Sequence, residues 1–151
     1  MDGIKSRIIL ALGVCSALLT GAPTASAASA APLSEVKVLK VESPSCGFED
    51  IDEGQAQTRC DHSGASIKVY VLEIGYGRMP HVGLDGFEID GTRTRVCAFD
   101  NGNLTECTAN SKIVGYLYIF DLAGKQQGTF TFSNTSLNAP GNTLSTQLYI
   151  K

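Results

Sequence analysis

The sequence has no tryptophan, only two methionines and only two histidines in 151 residues. Without tryptophan it lacks the usual ring for stacking on sugars, and its few histidines limit acid–base chemistry to His62 and His81. Basic residues are dispersed and outnumbered, 12 Lys and Arg against 15 Asp and Glu. No basic stripe can track a phosphate backbone or hold an anionic lipid surface, so nucleic acid is not an expected partner. No Gly-x-Ser-x-Gly elbow, His-Glu-x-x-His helix or phosphate loop occurs, and no Cys-x-x-Cys. Zinc-ribbon and thioredoxin-type readings are thereby disfavoured, and no metal or cofactor is implied. Beyond the N-terminal leader no apolar run is long enough to span a bilayer, and no window of ten residues carries a capped helical stripe.

What is present begins with a leader. Lys5 and Arg7 precede an apolar stretch at residues 8–19, and Ala25-Ser26-Ala27 offers a small-residue cleavage site. Residues 1–27 therefore read as a secretory signal peptide, 28–34 as a flexible lead-in and 35–151 as one domain. Leu12-Gly13-Val14-Cys15 resembles a lipobox, but Val14 is bulkier than the residue such a motif needs before its cysteine. The expected location is secreted, extracellular or periplasmic, without stable membrane insertion. Loss of the leader removes Cys15 and leaves Cys46, Cys60, Cys97 and Cys107. An even number in a small exported domain predicts two disulfides.

Residues 67–74 are the strongest β segment. Ile67, Val69 and Val71 fall on one face and Tyr70, Leu72 and Ile74 on the other, which predicts a central strand covered on both sides. Further strands are expected at residues 35–42, 92–99, 104–108, 113–120, 129–133 and 144–150. A hairpin about Asp85-Gly86 should pair Leu84 with Phe87 and Val82 with Ile89. About nine short strands at this spacing predict an all-β fold: a single compact antiparallel β-sandwich (Ig-like) or small barrel. Tyr116, Tyr118 and Phe120 share one face, and Phe130 and Phe132 share another; such a platform could stack on sugars, but without tryptophan the alternating aromatics read as sandwich core.

The disulfides are predicted as Cys46–Cys60 and Cys97–Cys107. A three-residue loop, Asn101-Gly102-Asn103, would pair Asp100 with Leu104 and set Cys97 directly across from Cys107. Cys46–Cys60 would close a polar loop carrying Glu49, Asp50, Asp52 and Glu53, read as solvated because it lacks the ligand spacing of a calcium loop. That closure is worth roughly 3 kcal/mol by loop entropy.

Two classes of function remain. In the first, a secreted binding protein (an effector, competition factor or inhibitor) meets an extracellular protein or glycan through a surface that includes Asp61, His62, Tyr76 and Arg78. In the alternative, a small hydrolase uses His62 with Asp61, Glu73 or His81. No phosphate clamp or triad is readable around His62, so a solvent-exposed turn histidine is expected instead. Asn103-Leu104-Thr105 and Asn134-Thr135-Ser136 are glycosylation sequons by pattern.

Four stretches carry a family likeness: Val41-Glu42-Ser43-Pro44-Ser45-Cys46-Gly47, Cys60-Asp61-His62, Glu73-Ile74-Gly75-Tyr76-Gly77 and Asn138-Ala139-Pro140-Gly141-Asn142-Thr143-Leu144. Through them the chain resembles the small exported bacterial proteins similar to YolA. The resemblance implies a small, compact secreted domain of unknown function and transfers no catalytic residues.

Overall fold

The computed structural model describes residues 30–109, 111–122, 124 and 127–151. The leader, its cleavage site and Cys15 lie outside the described residues. Ten strands follow one another: β1 (Glu35–Ser43), β2 (Gly47–Asp50), β3 (Lys68–Ile74), β4 (His81–Leu84), β5 (Phe87–Glu88), β6 (Gly91–Ala98), β7 (Leu104–Glu106), β8 (Lys112–Asp121), β9 (Gly128–Thr135) and β10 (Thr143–Ile150). They form two antiparallel sheets. One has six strands in the order β2-β1-β3-β8-β6-β7, and the other has four in the order β10-β9-β4-β5. The fold is an all-β sandwich, with no helix among the described residues.

The core lies between the sheets and follows the period-two alternation of the sequence. From the large sheet come Val69 and Val71 on β3 and Tyr118 and Phe120 on β8; from the small one come Phe130, Phe132 and Leu148. The aromatic residues meet across the gap, Tyr118 with Phe132 at 5.2 Å and Phe120 with Phe130 at 5.6 Å between ring centroids. β3 is central in its sheet, yet only its core face meets the second sheet. On the outer face Lys40 lies over the rings of Phe48 and Tyr70 at 4.6 and 4.7 Å. Tyr70 donates to a Glu42 carboxylate oxygen at 2.6 Å, and that bond, with burial, pushes its phenol up to about 12.

The Asp85-Gly86 turn has φ of 50° and 82°, the paired left-handed geometry of a type I′ hairpin, and sets Leu84 opposite Phe87. The hairpin between β6 and β7 corrects the sequence reading. Its loop has three residues, but they are Asp100, Asn101 and Gly102, closed by Phe99 N–H donating to the Asn103 carbonyl at 2.9 Å. Gly102, at φ 85°, takes the left-handed position at the end of this loop, and without a Cβ it does so at less cost than an asparagine would. Cys97 therefore stands opposite Thr105, and Cys107 lies diagonally across, beyond the end of β7. The bridge Cys97–Cys107 spans 5.0 Å between Cα atoms, and the other joins Cys46 to Cys60.

Two further expectations fail. The start of the acidic run is not loop: Gly47–Asp50 pairs with β1, Val41 opposite Glu49. The described part of the lead-in, residues 30–34, is not loose. Leu33 is buried, Ser34 N–H donates to the Ile74 carbonyl at 2.9 Å, and Tyr76 N–H donates to the Ala31 carbonyl at 3.0 Å. Gly75 permits that approach, since a Cβ there would stand 2.1 Å from the Pro32 carbonyl oxygen.

Residues 56–58 run beside β10, with Thr58 N–H donating to the Tyr149 carbonyl and Tyr149 N–H to that of Ala56. This covers one open edge of the small sheet. At the other side β5 is only two residues long, and the sandwich gapes between it and β6.

Candidate functional site

The four residues proposed for hydrolysis do not converge. His62 sits beyond the Lys68 end of β3, held to Ser43, whereas Glu73 is at the other end of that strand, roughly 20 Å of strand away. Asp61 is exposed, 3.9 Å from Lys151 Nζ. His81 is exposed at the start of β4, opposite Ser133.

His62 is 1% exposed, not a solvent-exposed turn histidine. Its backbone N–H donates to the Lys151 carbonyl at 2.6 Å. Its Nδ1 is 2.8 Å from Ser43 Oγ and its Nε2 is 3.3 Å from Glu49 Oε2. Glu49, 8% exposed, accepts further bonds from Arg59 N–H at 2.7 Å, Cys60 N–H at 3.0 Å and Gln55 Nε2 at 2.9 Å. Burial pushes this carboxyl up, but the amides of Arg59 and Cys60, with Gln55 and His62, outweigh it and hold it at about 2. With Glu49 ionised, His62 Nε2 is the donor, and in the neutral imidazole Nδ1 then accepts from the Ser43 hydroxyl. Ser43–His62–Glu49 has the composition of a nucleophilic triad. Ser43, however, is 4% exposed, and its Oγ already accepts the Cys46 N–H at 3.3 Å. The chain of bonds locks the turn between β1 and β2 onto the C-terminus of the domain.

Glu73 is 0% exposed. Asn134 Nδ2 donates to its Oε2 at 2.7 Å, and Gly77 N–H to its Oε1 at 3.3 Å. Asn134 Nδ2 also lies 3.3 Å from the Arg78 carbonyl. The sequon asparagine is thus a buried strut and not an exposed glycan acceptor, and it fixes the segment that carries Tyr76 and Arg78. Replacing it with alanine should strand the buried carboxylate and cost about 2–3 kcal/mol in urea denaturation, whereas Asn103→Ala on the exposed hairpin should cost almost nothing.

That segment forms the lip of a cleft of about 580 Å³ between the sheets. Tyr76, Arg78, Arg93, Tyr116 and Tyr118 line it, with Met79 exposed at the rim. Tyr76 and Tyr116 meet edge to face at 6.0 Å, and the Arg93 guanidinium lies 4.6 Å over the Tyr116 ring. Tyr118 Oη is buried without a hydrogen bond among the described residues. The guanidinium of Arg93 approaches it without meeting hydrogen-bond geometry, so the pair is an electrostatic contact. Burial pushes the Tyr118 phenol up; Arg93 opposes that shift and Glu73 adds to it. A larger cavity, about 710 Å³ between β1, residues 51–56 and β10, lacks aromatic side chains.

The model for the domain of unknown function DUF4879 matches residues 22–150. The chain belongs to the DUF4879 family. No curated protein and no solved structure matches it. Within this DUF4879 domain, Tyr76 and Arg78 were readable as surface residues, but the cleft places them apart from Asp61 and His62. Tyr116 and Tyr118 read as core before they read as a platform for sugars, because alternating aromatics on one strand face say "core", and no motif singles out Arg93. Only the short β5 leaves the end of that face uncovered, and nothing local announces it.

Proposed function

We propose that this DUF4879 domain is an exported, YolA-like binding protein that takes a ring-bearing, acidic ligand, such as an acidic glycan, into the cleft between its sheets. The observation that carries this reading is the buried Tyr118 hydroxyl without a hydrogen bond, beside an Arg93 guanidinium stacked on Tyr116. Buried polar groups are nearly always satisfied, and a donor left over in a cleft marks a place for an acceptor. Tyr76 and Tyr116 offer ring faces, and Arg78 and Arg93 offer charge for a carboxylate. Two disulfides suit an oxidising extracellular compartment. The YolA-like stretches at residues 41–47, 60–62, 73–77 and 138–144 support export in the same sense.

Calorimetric titration with uronic-acid oligosaccharides tests it. Arg93→Ala should weaken binding about tenfold to hundredfold, the worth of a hydrogen bond to a charged group. Tyr118→Phe should also weaken binding, yet leave unfolding stability nearly unchanged, because the lost hydroxyl makes no hydrogen bond in the free protein and only its electrostatic contact with Arg93 goes with it. Binding indifferent to both substitutions would remove the cleft from consideration.

A further inference from the structure

The Cys46–Cys60 corner holds a donor set that the cleft does not use. The sulfurs of Cys46 and Cys60, a carboxylate oxygen of Glu49 and a ring nitrogen of His62 all lie within 4.8 Å of one another. We propose that these four residues bind a zinc ion when the Cys46–Cys60 bridge is open, so that disulfide and metal site are alternative states of one corner.

The donor chemistry suits zinc: two thiolates, one imidazole and one carboxylate, all known zinc ligands, in the number a closed tetrahedral site requires. The geometry is partly set already. Tetrahedral zinc with bonds of about 2.0–2.1 Å to nitrogen and oxygen separates those atoms by about 3.3 Å. His62 Nε2 and Glu49 Oε2 are 3.3 Å apart. Two thiolates on the same ion would stand about 3.8 Å apart. The Cα atoms of Cys46 and Cys60, 6.4 Å apart, leave room for that opening by side-chain rotation.

The surrounding bonds orient the ligands as metal sites require. Ser43 Oγ holds Nδ1 at 2.8 Å and so turns Nε2 toward the cluster. Arg59 N–H and Gln55 Nε2 engage Glu49 Oε1 and leave Oε2 on the side of Cys60 and His62. Burial of His62 and near-burial of Glu49 keep bulk water from competing. The second bridge has no such company: Cys97 and Cys107 belong to no comparable cluster among the described residues.

Opening the bridge with a phosphine consumes one phosphine and one water and yields a phosphine oxide and two thiols. Zinc then displaces both thiol protons and leaves the sulfurs as bound thiolates, while the imidazole proton moves from Nε2 to Nδ1, which donates to Ser43 Oγ and frees the Nε2 lone pair for the metal.

Cobalt(II), which reports tetrahedral thiolate ligation by its absorption, is the probe for the phosphine-reduced protein, with thiol titration confirming that the bridge is open. The expected result is one cobalt per chain, a sulfur-to-metal charge-transfer band, and displacement of both by zinc. The oxidised protein should show no band. Cys60→Ser should abolish it, and Cys97→Ser with Cys107→Ser should leave it intact. His62→Ala and Glu49→Ala should each weaken cobalt at least tenfold, and Ser43→Ala, acting through the imidazole, about tenfold. Should reduction loosen the fold, metal must restore the native circular dichroism, because ligand binding then drives folding. Zinc should also slow reoxidation of Cys46 and Cys60. A reduced protein with open thiols and no band, or a band that survives Cys60→Ser or His62→Ala, overturns the site.

Discussion

Phe132→Ala should destabilise the domain by about 3–5 kcal/mol, the largest loss expected from one core truncation here. Phe132 is 1% exposed and stands where the two sheets meet. Its ring lies 5.2 Å from that of Tyr118 and 6.0 Å from that of Phe120, both in edge-on arrangements. Alanine removes the hydrophobic transfer energy of the ring and both aromatic contacts, and leaves a cavity. The surrounding residues sit on paired strands, so the cavity cannot readily collapse: Phe132 is flanked by Val82 on β4 and Thr146 on β10. Phe99 is the control, since it lies 59% exposed at the β6–β7 hairpin. Phe99→Ala should change stability by less than about 0.5 kcal/mol. Urea denaturation followed by tyrosine fluorescence separates the two. A loss at Phe132 as small as that at Phe99 would mean that the sheets do not pack through this aromatic layer.

The same layer shows why the fold was more legible than the site. Alternation along β3, β8 and β9 assigns Val69, Tyr118 and Phe130 to one buried face by local pattern alone, and the Asp85-Gly86 turn has a stereochemical requirement that its residues state directly. The β6–β7 hairpin was readable to within one residue: the loop ends at Gly102, which takes the left-handed position, and not at Asn103. The candidate sites depend on partners distant in sequence. His62 is buried by Ser43 on one side and the Lys151 carbonyl on the other. Glu73 is matched by Asn134, 61 residues away. Such pairings leave no periodic trace, so Asp61-His62 reads as an exposed turn and Asn134 as a glycosylation sequon. The cleft was hidden for a different reason: Tyr116 and Tyr118 continue the core pattern, and whether the sheets gape beside them depends on how far β5 extends.

Glu49→Gln should cost roughly 3 kcal/mol at neutral pH and flatten the acid limb of the stability curve. The carboxyl titrates at about 2 in the folded domain against an ordinary 4.5. Its folded value is depressed, so the ionised form favours folding. That contribution is complete above the unfolded value and is lost as pH falls toward the folded one, between about 4.5 and 2. A shift of this size corresponds to roughly 3 kcal/mol, at about 1.4 kcal/mol per tenfold change in proton affinity. The source is structural. Two backbone N–H groups, from Arg59 and Cys60, point at one carboxylate, and the Cys46–Cys60 bridge holds that segment against β2. Glutamine keeps the shape, but its neutral oxygen accepts those bonds more weakly and its amide nitrogen must face either a backbone N–H or the His62 Nε2 donor. Aspartates that the run also contains should behave differently: Asp52 is exposed and bound to the Arg59 guanidinium, so Asp52→Asn should change stability by under about 1 kcal/mol. Urea midpoints measured from pH 7 down to pH 2 decide the matter. The wild-type curve should fall steeply below pH 4.5, and the Glu49→Gln curve should start lower and fall less. Parallel curves would show that Glu49 titrates as it does in the unfolded chain, and that the amides of Arg59 and Cys60 do not hold it.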